Sequence, residues 1–143
     1  MNFVNYSTSV FPNLNYNQQI ILQSSIHTLF VNSITICNKS NNDIRINLVK
    51  KIIGSDSSIN QGFIVNNIEV QAPITGKTDS KSTINLVSLF GLNVFLPVMS
   101  SSGITYTTEL ICYSNGITQK FDCTFYYTTF VETLARSEIE HVK

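Results

Sequence analysis

The stretch Phe121-Asp122-Cys123-Thr124-Phe125-Tyr126-Tyr127-Thr128-Thr129 decides the fold. Residues along an extended chain point alternately to opposite faces. Phe121, Cys123, Phe125, Tyr127 and Thr129 therefore share one face, and Asp122, Thr124, Tyr126 and Thr128 share the other. The first set is expected in the core of a strand covering residues 118–131. Just before it, residues 105–113 form a second strand-like run, with Ser114-Asn115-Gly116 between. Asn-Gly between apolar runs is a strong hairpin signal, because both residues tolerate positive φ. A hairpin is therefore expected at Asn115-Gly116.

The same period continues toward the N-terminus. Ile44, Ile46 and Leu48 alternate with Arg45 and Asn47, as in a strand with one buried face. Residues 18–24 and 29–37 read as strands, and Asn38-Lys39-Ser40-Asn41-Asn42-Asp43 is a turn cluster of the kind that closes a hairpin. Residues 54–62 are polar and read as a loop. Residues 63–72 form a strand stopped by Pro73, and 74–81 a second polar loop. Residues 82–87 and 89–96 read as two strands separated near Gly91 and stopped by Pro97; 99–104 is a third loop. Seven or eight strands with polar turns predict an all-β fold, a single antiparallel β-sandwich of jelly-roll or Ig-like type. The expected division is an extended N-terminal arm over 1–17, a β-sandwich domain over 18–132 and a C-terminal tail or short helix over 133–143. The arm carries Phe3, Tyr6, Phe11 and Tyr16, aromatics expected to pack on the domain or on a neighbouring subunit. Deleting 1–17 is expected to leave the fold intact and weaken assembly.

Composition agrees. With 18 Ile, 11 Val and 14 Thr but two Ala, the chain is poorly suited to a helical bundle. Nine basic and nine acidic residues give zero net charge, which argues against binding that rests on phosphate neutralisation. An apolar share of 43% argues against disorder. The N-terminus is too polar for a signal peptide, and no run approaches the length of a membrane span. Synthesis in a reducing cytoplasm is expected, so the sequons at Asn5 and Asn38 carry little weight. Cys37, Cys112 and Cys123 lie in apolar runs with no CxxC or zinc spacing, and buried free thiols are expected. A Cys112–Cys123 bridge across a hairpin is the alternative.

Chemistry is sparse. His27 and His141 belong to no HxxxH or HxH pattern, so a metal site lacks ligands. No feature marks a Cys–His nucleophile pair. Most carboxylates fall in loops or at strand ends; Glu109 and Asp122 lie inside strands and are the pair expected to meet across the hairpin's sheet. A glycosidase pair usually comes with aromatic sugar platforms, and Trp is absent. Asp56 and Asp79 lack calcium-loop spacing, and the six glycines form no phosphate cradle. Phe125, Tyr126 and Tyr127 lack the positive groove of a base-stacking surface, since only Lys120 is near. No catalytic residue, cofactor, metal, nucleic acid or membrane is expected.

The layout of residues 28–132 resembles small virion proteins of tailed bacteriophages. The similarity is carried by Phe30-Val31-Asn32-Ser33-Ile34-Thr35-Ile36-Cys37-Asn38, then Ile44-Arg45-Ile46-Asn47-Leu48, then Phe63-Ile64-Val65-Asn66-Asn67-Ile68-Glu69-Val70 before Pro73. Ser82-Thr83-Ile84-Asn85-Leu86-Val87 and Leu110-Ile111-Cys112-Tyr113-Ser114-Asn115 complete it. The Asn- and Ile-rich composition also looks like products of AT-rich phage genomes, including crAss-like phages. The resemblance implies a non-enzymatic β-sandwich repeated on the capsid, neck or tail of a virion, a homo-oligomer held by contacts with its own copies and other virion proteins. The alternative expectation is a carbohydrate- or host-receptor-binding module of a phage tail. A small hydrolase on the same scaffold is the third.

Overall fold

A computed structural model describes residues 2–24, 26–73, 82–91 and 94–132. Ten strands run in the order β1 (Asn2–Leu14), β2 (Gln19–Gln23), β3 (Thr28–Asn38), β4 (Ile44–Gly54), β5 (Ile59–Val70), β6 (Thr83–Asn85), β7 (Val94–Leu96), β8 (Met99–Ser101), β9 (Ile104–Ser114) and β10 (Phe121–Glu132), with a single-turn helix α1 (Leu86–Phe90) between β6 and β7. One antiparallel sheet has the order β1-β10-β3-β6, with β7 also on β3. The other has the order β2-β9-β4-β5, with β8 also on β9.

The pairs nest. β4 pairs β5, β3 pairs β6 and β7, β2 pairs β9, and β1 pairs β10. A long antiparallel ribbon of four nested pairs, wrapped so that alternate pairs fall in opposite sheets, is the jelly-roll form of the sandwich. β6 and β7 together fill one place in that scheme and β8 is an addition, which is why ten strands stand where seven or eight were expected.

The core lies between the sheets. Val31, Ile34 and Ile36 of β3 stand beside Phe121, Cys123 and Phe125 of β10 and face Ile44, Ile46 and Leu48 of β4 and Leu110 and Cys112 of β9 across the sandwich, within one apolar cluster. The face expected for β10 holds through Tyr127, which packs against the core cluster. β3 inserts Asn32 as a bulge beside it, so that Tyr126 pairs Ser33 while Tyr127 pairs Val31. Tyr127 and Thr129 are half-buried there. Thr128, expected outside, is 4% exposed and its hydroxyl donates to Asn32 Oδ1 at 2.8 Å.

Two expected hairpins are corners instead. β9 and β10 flank Asn115-Gly116 but belong to different sheets, and so do β3 and β4 on either side of Asn38–Asp43. The turn residues are right, but the partners of both flanking strands are already taken, so the chain crosses to the facing sheet. The two corners bond to each other: Lys39 N donates to Lys120 O at 2.9 Å, and Lys120 N donates to Ser40 Oγ at 2.7 Å. Chain-adjacent hairpins do occur at β4–β5 and at β8–β9. The second turns at Ser102 (φ 53°) and Gly103 (φ 80°), the two-residue turn with both central φ positive. It lies in a segment expected to be loop.

A strand expected over 82–87 stops at Asn85. The Asn85 side chain accepts from Val87 N at 3.0 Å and Ser88 N at 3.3 Å, capping a helical turn that ends at Gly91, φ 62°. An Asn at this position offers the backbone a partner outside the sheet ladder.

The N-terminal segment is extended as expected, and it is a strand of the sheet. β1 pairs with β10 from Asn2↔Glu132 to Leu14↔Phe121. Leu14 is 3% exposed in the core, and the Phe11 ring stacks on Phe125 at 5.9 Å. This corrects the expectation that residues 1–17 add little to the core. The expected tail over 133–143 lies outside the described residues.

Phe125 fills the centre of the sandwich, so Phe125→Ala should lower unfolding free energy by about 3–5 kcal/mol in denaturant titration. Removing residues 1–17 uncovers one edge of β10 and deletes Leu14. The shortened chain should lose its cooperative thermal transition or show it at markedly lower temperature. An unchanged transition would show that the core closes without β1.

Candidate functional site

The carboxylates whose side chains are described are tied up in the fold. Asp43 accepts from Ala72 N at 2.8 Å and so holds the start of β4 to the end of β5. Asp56 closes the β4–β5 turn, accepting from Ser58 Oγ at 2.6 Å and Ser58 N at 3.0 Å. These bonds hold its carboxyl below the ordinary carboxylate range. Glu69 pairs with Arg45 at 3.5 Å. Glu109 and Asp122 do not meet, because they sit in different sheets. Glu109 accepts from Gln23 Nε2 at 3.3 Å, whereas Asp122 pairs with Lys39 at 3.2 Å and accepts from Asn13 N at 2.9 Å. His27 is half-buried at the entrance of β3. Asp79, Glu138, Glu140 and His141 lie outside the described residues. Among those described, no group of three or more His, Cys, Asp or Glu is placed to hold a metal ion.

Among the described residues, two open depressions stand out on the surface. One, about 300 Å³, lies along the β4–β5 edge between Lys50, Ile52, Gly62 and Phe63. The other, about 350 Å³, lies at the paired corners between Lys39, Ser40, Ile117 and Thr118. Neither is lined by a carboxylate or an imidazole, so neither offers an acid–base pair.

The cysteines take both sheets' interiors. Cys112 of β9 and Cys123 of β10 are buried free thiols that approach each other from opposite sheets; Cys37 is half-buried. The hydrogen bond with Cys123, together with burial, pushes the Cys112 thiol well above its ordinary range. A thiol kept neutral is a poor nucleophile.

A cluster of amides braces the end of the second sheet. Asn47 Nδ2 donates to Asn115 Oδ1 and Asn115 Nδ2 to Asn67 Oδ1, each at 2.5 Å, and Asn67 N donates to Asn47 Oδ1 at 2.9 Å. Asn67 sits at φ 60°, a conformation Asn tolerates. Asn47 points outward from a strand whose inward neighbours are Ile46 and Leu48, yet it is 3% exposed. These bonds tie β4, β5 and the β9–β10 corner together. The Asn115 side chain therefore works as a strut more than as a hairpin turn residue.

The remaining candidate is the outer face of the first sheet. Register places Tyr6, Thr128, Phe30 and Phe95 in one row across β1, β10, β3 and β7. Thr8, Tyr126 and Ser33 form the next row, and Val10, Thr124 and Thr35 the one after. No charged residue stands in these rows. Phe30 and Phe95 rings lie 4.7 Å apart. Tyr6 is 80% exposed, Val10 60% and Tyr126 55%. Of the arm aromatics, Tyr6 belongs to this face, Phe11 points inward onto Phe125, and Tyr16 is exposed in the β1–β2 connection. The Phe3 side chain lies outside the described residues. The strand period separates Tyr6 from Phe11, so the four do not make one surface. Phe30, Phe95 and Tyr126 were not singled out for it. Their row appears only once β10, β3 and β7 are set side by side.

No protein-family model and no curated protein matches the chain. Solved structures do. A chain in the structure of infectious bursal disease virus Gt strain has a TM-score of 0.51 at 9% identity, covering 92% of this chain and 33% of that one. The infectious bursal disease virus VP2 subviral particle gives 0.45 at 13% identity, covering 90% and 32%. The virus's Gx strain gives 0.46 at 11%, covering 91% and 33%. The chain spans about a third of the length of each. At 9% identity the first of these likenesses shows the fold alone.

Burial of the thiols has a direct consequence. In the folded protein Cys37 should react with a thiol reagent ahead of Cys112 and Cys123, which should become reactive only on denaturation. Fast labelling of Cys112 in the native state would contradict the facing arrangement of β9 and β10.

Proposed function

We propose that this chain is a non-enzymatic structural component of a virus particle, present in many copies and held by protein–protein contacts. One observation carries the reading: the uncharged outer face of the first sheet, where Tyr6, Tyr126, Phe30, Phe95 and Val10 stand on adjacent strands. Exposed aromatics on a surface without charge are what the central part of a protein interface needs, since rings bury much area at low entropic cost and no ion must be desolvated. The jelly-roll fold and its likeness to a chain from a virus structure support the same reading. So does the use of the described carboxylates as structural ties.

Within that reading the virion is that of a tailed bacteriophage, on the strength of the sequence resemblance and the Asn- and Ile-rich composition. The chain sits on capsid, neck or tail as a symmetric homo-oligomer. It is made in the host cytoplasm and incorporated without nucleic-acid or membrane contact.

A second reading has its own support. Exposed Tyr6 and Tyr126 rings on a jelly roll also fit stacking against sugars, as in lectin-type sandwiches. This would make the chain a carbohydrate- or host-receptor-binding module of a phage tail. Reproducible glycan-array binding abolished by Tyr126→Ser would favour it.

Mass spectrometry of purified particles from the source should detect this chain in stoichiometric amount, and its absence would refute the virion reading. Replacing both Tyr6 and Tyr126 by Ser should shift unfolding free energy by about 0.5 kcal/mol or less each, because both are exposed. The same change should reduce incorporation into particles about tenfold. Normal incorporation would move the interface elsewhere.

A further inference from the structure

β5 closes one side of the second sheet, and its far edge has no partner strand among the described residues. Its first five residues, 59–63, are all exposed. Ile59 pairs Ile53, Gln61 pairs Lys51 and Phe63 pairs Val49. Val49 stands on the outer face, in an apolar row with Ile111 and Ile20 whose centre is covered within the chain. Ile59, Gln61 and Phe63 therefore point outward as well, and Ile59 and Phe63 are 60% and 54% exposed. Asn60 and Gly62 take the other side, where the depression between Lys50, Ile52 and Gly62 lies. Nothing stands within 4 Å of where a Cβ on Gly62 would be.

The ladder also fixes which backbone groups are unused. Gly54 N donates to Ser58 O at 2.8 Å. Bonded and non-bonded pairs alternate along an antiparallel ladder, so the next bonded pairs are Ile52–Asn60 and Lys50–Gly62. The N–H and C=O of Ile59, Gln61 and Phe63 point away from β4, into the free edge. Natural edges are blocked by bulges, prolines or charges. Here the register shifts beyond Phe63 and Asn67 takes φ 60°, which interrupts the edge from residue 64 onward. Residues 59–63 carry no proline and no charge.

We propose that residues 59–63 pair antiparallel with the same residues of a second copy, about a two-fold axis through Gln61. Gln61 is the middle of the uninterrupted edge. Its N–H and C=O bond to those of Gln61 in the second copy, and Ile59 and Phe63 bond to Phe63 and Ile59 there. Every free backbone group of the stretch thus finds a partner, in a patch that matches itself as an isologous contact requires. A strand of another protein would satisfy the backbone equally, but the side chains fit a second copy. Each exposed Ile59 lies beside an exposed Phe63, a favourable β-branched–aromatic pair. Each Asn60 lies opposite Gly62, which leaves room for its amide. Lys51 and its copy stand about three strand spacings apart, roughly 14 Å, beyond the screening length of about 8–10 Å. The contact is much smaller than the roughly 800 Å² per partner of specific interfaces, so a dissociation constant on the order of 100 μM is expected. Contacts this weak act where many copies are held together. The inference names a surface and an occupant that the virion reading leaves open. It is tested on purified protein, so dimerisation and particle incorporation fail separately.

Sedimentation equilibrium over rising concentration should show reversible dimers. Hydrogen exchange then reads the register. The amides of Ile59, Gln61 and Phe63 should gain protection as concentration rises, while those of Asn60 and Gly62, bonded to β4, are protected throughout. Gln61→Pro removes a donor at the axis without removing a bond to β4, and should weaken association about tenfold or more. Gln61→Glu and Gln61→Lys each set like charges opposite one another across the axis, and each should weaken it about tenfold. An equimolar mixture of those two should recover wild-type association, because the mixed pair sets opposite charges together. A wild-type protein that stays monomeric at about 1 mM overturns the proposal. So does a dimer whose Ile59, Gln61 and Phe63 amides exchange as in the monomer, or a mixture no better than its components. Should Gln61→Pro fail to fold, the two charged variants carry the test, and unchanged association in both overturns the proposal.

Discussion

The structure depends on two adjacent crossings between the sheets. β3 passes to β4 through residues 39–43, and β9 passes to β10 through residues 115–120. Each crossing leaves its flanking strands in different sheets, so β3 and β10 pair only with strands distant in sequence, while β4 and β9 pair each other beside their local hairpins with β5 and β8. The crossings satisfy each other's backbone. Ser40 Oγ accepts from Lys120 N, and Lys39 N donates to Lys120 O. Ser114 Oγ donates to Gln119 O at 2.6 Å, and Gln119 Oε1 accepts from Arg45 N at 3.0 Å. Buried backbone groups without partners would cost about as much as lost hydrogen bonds. The polar turn residues that first read as hairpin signals provide these bonds.

With the crossings in place, the interior follows from strand period. β3, β4, β9 and β10 each send alternate residues inward, and Phe121 and Phe125 are the largest of those side chains. The same period leaves two outward faces of different character. The first sheet shows aromatics without charge. The second shows a narrow apolar row with Lys51 beside Glu109 on one side of it and the Arg45–Glu69 pair further along the strands. The first is unusual for a surface that meets only water, because large contiguous exposed apolar patches mark contact sites. Ion pairs elsewhere, such as Lys39–Asp122, are solvent-exposed and contribute little beyond local orientation.

Zero net charge acquires a more specific meaning from this arrangement. It reflects the lack of charge in the described rows of the first sheet's outer face, the balanced pairing of Arg45 with Glu69 on the second, and the use of Asp43, Asp56 and Asp122 at turns and strand ends, where they accept backbone or hydroxyl bonds. Faces of this kind approach one another without like-charge repulsion.

The sequence by itself determined the class of the fold and the inward face of most strands. A period of two is a local property, and Phe121, Cys123, Phe125, Ile44, Ile46 and Leu48 reveal it without knowledge of any partner. It also marked where the chain turns, at Asn38–Asp43 and Asn115-Gly116. Only the tertiary structure decided whether those turns close hairpins or cross between sheets, because Asn and Gly permit either and the choice belongs to whichever strands compete for the edge. It alone made β1 a sheet strand, covered the outward Thr128 with Asn32 at the bulge, and turned residues 86–90 into a helix capped by Asn85. The two outer rows were equally out of reach. A row across a sheet joins residues as far apart as Tyr6 and Phe95, or Ile20 and Ile111, and their common face is fixed by register between strands, which no local pattern encodes.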